Sequence, residues 1–211
     1  MTDLYAFMLI VIYIGFVVGL SFLFYSLKVF SSESTRKFIH ILVSNAVFIL
    51  AYKFTNIYLA VLGPLCFVFI NYIVCKTKLS TMLGMTDGMR HLGLVYYPIT
   101  LTILTLCTYT NIIDAQDMVA GILVMGYGDG LAALIGSKFG KIKIGKTSKS
   151  LEGLIVFILA SCSVMLLFTS YPIYFVAIIA LIAGIVELYS SNGFDNITVP
   201  LITAFLGVVL C

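Results

Sequence analysis

Eight runs of apolar side chains, parted by short polar stretches, dictate what this chain of 211 residues can become. They cover residues 4–27, 38–52, 57–75, 91–108, 118–137, 151–168, 172–189 and 197–211. Roughly 20 apolar residues cross a bilayer as a helix. The expected fold is all-α, a polytopic transmembrane helical bundle with about eight spans, seven being the alternative count. The second and last runs are short for a span and need local thinning of the bilayer. Residues 1–211 read as a single integral membrane domain, with no repeat and no soluble domain. Hydrophobic residues make up 62% and charged residues 10% of the chain. A soluble domain carries about 25% charged residues, so a water-facing surface is excluded.

The charges that remain are unevenly placed. Lys28, Arg36 and Lys37 fall between runs one and two; Lys76, Lys78 and Arg90 fall between three and four; Lys138, Lys141, Lys143, Lys146 and Lys149 fall between five and six. The twelfth basic residue, Lys53, stands apart between runs two and three. The positive-inside rule puts the basic loops in the cytoplasm and both termini outside. A net charge of only +3 does not suggest a nucleic-acid partner. The N-terminus lacks a basic n-region and a clear cleavage site, so the first run reads as a retained span. Five scattered cysteines form no CxxC pair and suggest neither zinc nor disulfides.

Groups able to do chemistry collect on the expected cytoplasmic face. Asp129 stands in Gly126-Tyr127-Gly128-Asp129-Gly130, inside an apolar run. A carboxylate there must be paired or face water, and intramembrane carboxylates are functional by default. Gly128 and Gly130 allow close helix approach or a break. The loop 137–150 holds five lysines and no acid, a composition suited to phosphate oxygens, although a positive-inside loop needs no further role. It also matches GxxxxGK[ST] at Gly140, Gly145, Lys146 and Thr147, but no βαβ pattern surrounds it, so a P-loop fold is not expected. Arg36, Lys37 and His40 lie near one helical face, where they could bind phosphates or polarise a leaving group. Asp87, Arg90 and His91 sit at the start of run four. Glu187, Asp195 and Asn196 supply hard oxygen ligands suited to Mg²⁺, unless Asp195-Asn196 merely form a turn. Glu152 could pair with a lysine or cap run six.

RKxxH at Arg36–His40, GDGLAALIGSKFGK at 128–141, KSLEG at 149–153 and ExxxxxxxDNxxVP at 187–200 resemble the dolichol kinase, phytol kinase and CTP-dependent diacylglycerol kinase family, related to the phosphatidate cytidylyltransferases. The resemblance runs in order over about four-fifths of the chain. It implies Mg²⁺-dependent transfer of the γ-phosphoryl group of CTP or ATP to a lipid alcohol. Carried onto this sequence, it puts Arg36, Lys37, Asp129, Gly136, Lys149, Glu152, Glu187, Asp195 and Asn196 at motif positions; taken with the chemistry of the residues themselves, Asp129 and His40 are the catalytic candidates. The nucleotide falls to Arg36, Lys37, Gly136, Lys138, Lys141, Lys146, Lys149 and Ser150. The metal falls to Asp129, Glu187, Asp195 and Asn196, with Gly128, Gly130, Gly140, Glu152, Gly153 and Pro200 in support. The membrane expected is a bacterial or archaeal cell membrane, or the endoplasmic reticulum of a eukaryote. A cytidylyltransferase making a CDP-lipid and a non-enzymatic transporter are the competing readings. The polar groups gather at one depth rather than through the membrane, which disfavours a conduit.

Overall fold

A computed structural model describes residues 2–77, 92–145, 147 and 149–211. All eight apolar runs are helical, and no strand forms among the described residues beyond an isolated bridge between Lys143 and Ser150. The first run is α1 (Asp3–Ser26). The second is broken into α2 (Ser32–Ser44) and α3 (Val47–Tyr52). Then come α4 (Ile57–Cys75) and α5 (Leu92–Tyr109). The fifth run is α6 (Ala115–Leu123), a π-helical turn over Val124–Asp129, and α7 (Gly130–Phe139). The last three are α8 (Leu151–Phe168), α9 (Ile173–Tyr189) and α10 (Asp195–Leu210).

Among the described residues, five helices have the length and apolarity to cross a membrane: α1, α4, α5, the α6–α7 span and α8. The bundle is therefore an integral membrane protein. Helices α9 and α10 are apolar but only 17 and 16 residues long. They rise about 24–26 Å, short of the roughly 30 Å hydrocarbon core. The short second run has a specific cause. Asn45 donates from its side chain to the carbonyls of Ile41 and Leu42, at 3.2 and 3.1 Å, which satisfies backbone groups where the helix breaks.

The α6–α7 span is the axis of the bundle. In its most apolar 18-residue stretch 72% of the residues are buried, against 17% in α1 and in α4, which turn most of their residues outward. Large apolar residues such as Leu4, Phe16 and Phe69 are exposed, as lipid-facing positions must be. Glycines seat the axis among its neighbours. A Cβ on Gly126 would collide with the Ser44 side chain, and one on Gly130 would collide with Ile41. A Cβ on Gly121 would lie 2.5 Å from the Pro200 carbonyl oxygen of α10.

The two ends of the bundle are built differently. At the end away from the lysine loop, Asp117 closes a capping box with Asp114 and accepts a hydrogen bond from the Tyr171 hydroxyl. Asp3 accepts from the backbone of Thr55 and Asn56 at 3.0 and 2.8 Å, tying α1 to the start of α4. Tyr109 donates to Leu50 O and Phe54 O, at 2.9 and 3.1 Å. The basic end instead carries ion pairs, in which lysines reach buried carboxylates.

Because backbone cannot yield as a side-chain tip can, Gly121→Ala is expected to destabilise the bundle by about 1–3 kcal/mol. Gly15→Ala, with nothing within 4 Å, is expected to be neutral. Thermal unfolding of both variants in detergent checks the difference.

Candidate active site

The site is assembled from four segments at the basic end. Ser31 caps α2 by accepting from Ser34 N at 3.2 Å, which fixes where that helix starts. The i, i+3, i+4 spacing then puts Lys37 and His40 on the side of α2 that meets the axis. Lys37 Nζ reaches Asp129 Oδ2 at 2.6 Å, and His40 Nε2 stands 3.9 Å from the same oxygen. Asp129 is the last residue of the π turn. Each π turn adds a residue to its ring, so it shifts the helical phase of the residues beyond it. Asp129 is thereby turned inward and only 8% exposed.

The second ion pair comes from the loop before α8. Lys149 Nζ lies 2.7 Å from Glu187 Oε1 and also donates to the Glu187 backbone carbonyl at the end of α9. Asp195 opens α10 after the turn at Asn192 and Gly193, which have φ of 56° and 83°. Gly193 packs so closely on Gly93 of α5 that a Cβ would lie 2.7 Å from its backbone. Asn196 donates to Gly193 O at 3.2 Å and braces this turn. Pro200 lacks the amide that would bond the Asn196 carbonyl in a regular helix, leaving that oxygen without its helical donor.

Carboxylate oxygens of Asp129, Glu187 and Asp195 lie within 4.8 Å of one another. Three like charges this close, two of them buried, are tolerable only with cations among them. Lys37 and Lys149 supply two. The donor set is all oxygen, as a hard divalent ion requires. The residues therefore fit Mg²⁺.

All these groups line one cavity of about 960 Å³, together with Arg36, Gly136, Ser150 and Gly153. The cavity continues from this polar end into an apolar half between α1, α2, α4 and α5.

No family profile matches the chain, and no solved structure matches it. The phytol kinase of Synechocystis sp. is 32% identical over 205 residues, which span 92% of this chain and 86% of that protein. The chain belongs to the phytol and polyprenol kinase family. The dolichol kinase sec59 of Schizosaccharomyces pombe is 42% identical over 45 residues, covering 21% of this chain and 9% of that protein. An uncharacterized protein of Methanocaldococcus jannaschii is 33% identical over 118 residues, covering 54% of this chain and 56% of that protein.

In this member of the phytol and polyprenol kinase family the remaining expected site residues divide. Lys138 and Lys141 do not line the cavity; Lys138 lies 5.4 Å from the centre of the Phe139 ring. Lys143, which the sequence did not single out, does line it. Lys146 falls outside the described residues, as do Asp87, Arg90 and His91. The loop is shaped by Glu152, which accepts from the amides of Lys141 and Ile142 at 3.0 and 3.3 Å. Ser150 caps α8 by accepting from Gly153 N at 3.2 Å. Gly136, Gly140 and Gly153 form the close crossing of α7 and α8: a Cβ on Gly140 would collide with Ser150 Oγ. Gly128 faces the Phe157 ring, where a Cβ would meet its edge at 2.9 Å. Tyr97, which no sequence pattern marked, lines the cavity and meets the His40 ring edge to face, with centroids 4.9 Å apart.

Lys37→Met strands the Asp129 carboxylate and is expected to cost about 3–5 kcal/mol of stability. Adding Asp129→Leu removes the stranded charge and should restore much of it. Unfolding in detergent across the double-mutant cycle measures the coupling; simple additivity of the two changes would argue that the pair does not interact.

Proposed function

We propose that this protein is a lipid-alcohol kinase, a single membrane domain that moves the γ-phosphoryl group of a nucleoside triphosphate to the hydroxyl of a membrane lipid. CTP is the donor that the family resemblance implies, with ATP as the alternative. Diacylglycerol and isoprenoid alcohols such as phytol, farnesol or a polyprenol are the acceptor classes. The observation that carries the reading is one cavity with two chemistries: three carboxylates and two lysines at its polar end, and apolar helix faces at the other.

Phosphoryl transfer asks the protein mainly for positioning and charge neutralisation. Asp129, Glu187 and Asp195 would hold Mg²⁺, whose charge would offset that developing on the transferred phosphate. Two of these carboxylates, Asp129 and Glu187, engage Lys37 and Lys149. Lys37, Lys149 and Arg36 line the same cavity, and their charges would neutralise phosphate oxygens of the nucleotide. The acceptor oxygen attacks the γ-phosphorus as the bond from that phosphorus to the β,γ-bridging oxygen breaks. The nucleoside diphosphate leaves with that electron pair. With Asp129 committed to cations, His40 Nε2 is the nearby group left to take the alcohol's proton. The basic end faces the cytoplasm in this reading, where nucleotide is available, and the bundle resides in a bacterial or archaeal cell membrane.

The direct test supplies γ-labelled CTP or ATP, Mg²⁺ and a panel of lipid alcohols to the purified protein. Label should appear in a lipid, and chelation of Mg²⁺ should abolish it. Pyrophosphate and a CDP-lipid formed from phosphatidate would replace this reading with a cytidylyltransferase. Uptake of a solute into proteoliposomes without nucleotide would replace it with a transporter. Asp129→Asn should lower transfer by about 10³-fold or more while the protein remains folded in the membrane. Full activity in that variant would remove Asp129 from the proposed machinery.

A further inference from the structure

The apolar half of the cavity has a definite shape. Along α1, Ile10, Ile14, Val18 and Phe22 recur at every fourth residue and form one stripe on its wall. On α4 the lining extends from Gly63 to Val74, about 16 Å of helical rise. That is about half of a hydrocarbon core of roughly 30 Å. The lobe starts at the polar end and is lined at its far end by Gly63 of α4, Leu50 of α3 and Leu101 of α5. Its wall at Ile70 is 50% exposed, so this side looks out to lipid.

Three buried side-chain polar atoms among the described residues have no hydrogen-bond partner, and two of them are His40 Nε2 and Tyr97 OH. Both residues line the cavity where its polar end meets the lobe. Tyr97 is only 8% exposed. A buried polar atom left unpaired costs about 1–3 kcal/mol, so two of them on side chains whose rings touch call for a ligand. The pair is complementary to one kind of group. Nε2 of a neutral imidazole whose proton sits on the other ring nitrogen is an acceptor. The phenol O–H of Tyr97 is a donor. An alcohol carries one proton to give and lone pairs to receive.

The geometry points to an acceptor-lipid site in which the alcohol's hydroxyl donates to His40 Nε2 and accepts from Tyr97 OH, while a hydrocarbon chain one leaflet long fills the lobe beneath. Tyr97 is the residue that selects a hydroxyl-bearing chain from plain hydrocarbon, and Leu101 is part of the floor that sets how much chain is enclosed. The proposal builds on the kinase reading for the role of its ligand, but the site can be tested without nucleotide.

The experiment measures equilibrium binding of phytol and farnesol, and of the matching hydrocarbons without hydroxyls, to the full-length protein in nanodiscs. Alcohols are expected to bind about tenfold more tightly than the hydrocarbons. Tyr97→Phe keeps the ring contact with His40 and should remove most of that preference. Leu101→Trp should weaken phytol more than farnesol. Equal binding of alcohol and hydrocarbon by the wild type, or an undiminished preference in Tyr97→Phe, would overturn the site. The two readings fail separately. A wild type that prefers alcohols but transfers no label keeps the acceptor site and loses the kinase. A wild type that transfers label, with KM for the alcohol unmoved by Tyr97→Phe, keeps the kinase and loses the acceptor site.

Discussion

The structure turns on the Asp129 carboxylate, a charge held within the most buried span of the bundle. Such a group is stable only where a cation reaches it and lipid does not. Lys37 provides the cation from α2, and the position of α2 answers that requirement as much as it answers apolar packing. Gly126 and Gly130 bring the axis against Ser44 and Ile41 of the same helix, close enough that no larger residue fits. The Lys37–Asp129 pair and the glycine contacts thus act on one crossing. The apolar contacts bring the helices together, and the ion pair fixes which faces meet.

The remaining stability is placed away from this charge. At the opposite end polar groups are tied by hydrogen bonds: Tyr171 to buried Asp117, partly buried Tyr109 to two carbonyls, and Asp3 to the amides before α4. Gly207 leaves just enough room for the Tyr171 and Asp117 contact, since a Cβ there would lie 2.8 Å from Asp117 Oδ1. The arrangement separates two tasks. One end closes the bundle with satisfied polar groups, and the other gathers three carboxylates whose mutual repulsion works against packing. The like charges at Asp129, Glu187 and Asp195 are tolerable because the far end does not depend on them.

The sequence announced the spans well, because long apolar runs admit few other structures. It announced Asp129, Glu187 and Asp195 as well, since an ionisable residue beside apolar runs stands out in a chain with so few. What it hid depends on direction rather than composition. Five lysines in one loop look alike, yet Lys143 and Lys149 line the cavity while Lys138 and Lys141 do not, because Glu152 gathers the amides of Lys141 and Ile142 and folds the loop back. Tyr96 and Tyr97 are neighbours of the same type. Helical geometry turns Tyr97 toward His40 and Tyr96 toward Phe194, and no pattern in the residues marks which is which. Asn45 sat unremarked in an apolar run although its amide makes the break between α2 and α3.

These hidden features share a physical origin. A bilayer forbids exposed loops at depth, so a membrane bundle that must aim polar groups inward does it with defects in its helices. The π turn changes the phase at Asp129. The Asn45 break lets α3 leave the line of α2, and its side chain also accepts from the Tyr127 hydroxyl of the π turn at 3.1 Å. Pro98 frees the Leu94 carbonyl, and Asn71 of α4 donates to that oxygen at 2.8 Å, which joins two walls of the cavity. Pro200 frees the Asn196 carbonyl at the carboxylate cluster. Each defect lies beside the cavity or on the crossing that supports it. Regular turns still carry Lys37 and His40 on α2 and Glu187 on α9. The defects set where these side chains meet, and a two-ended cavity is the consequence.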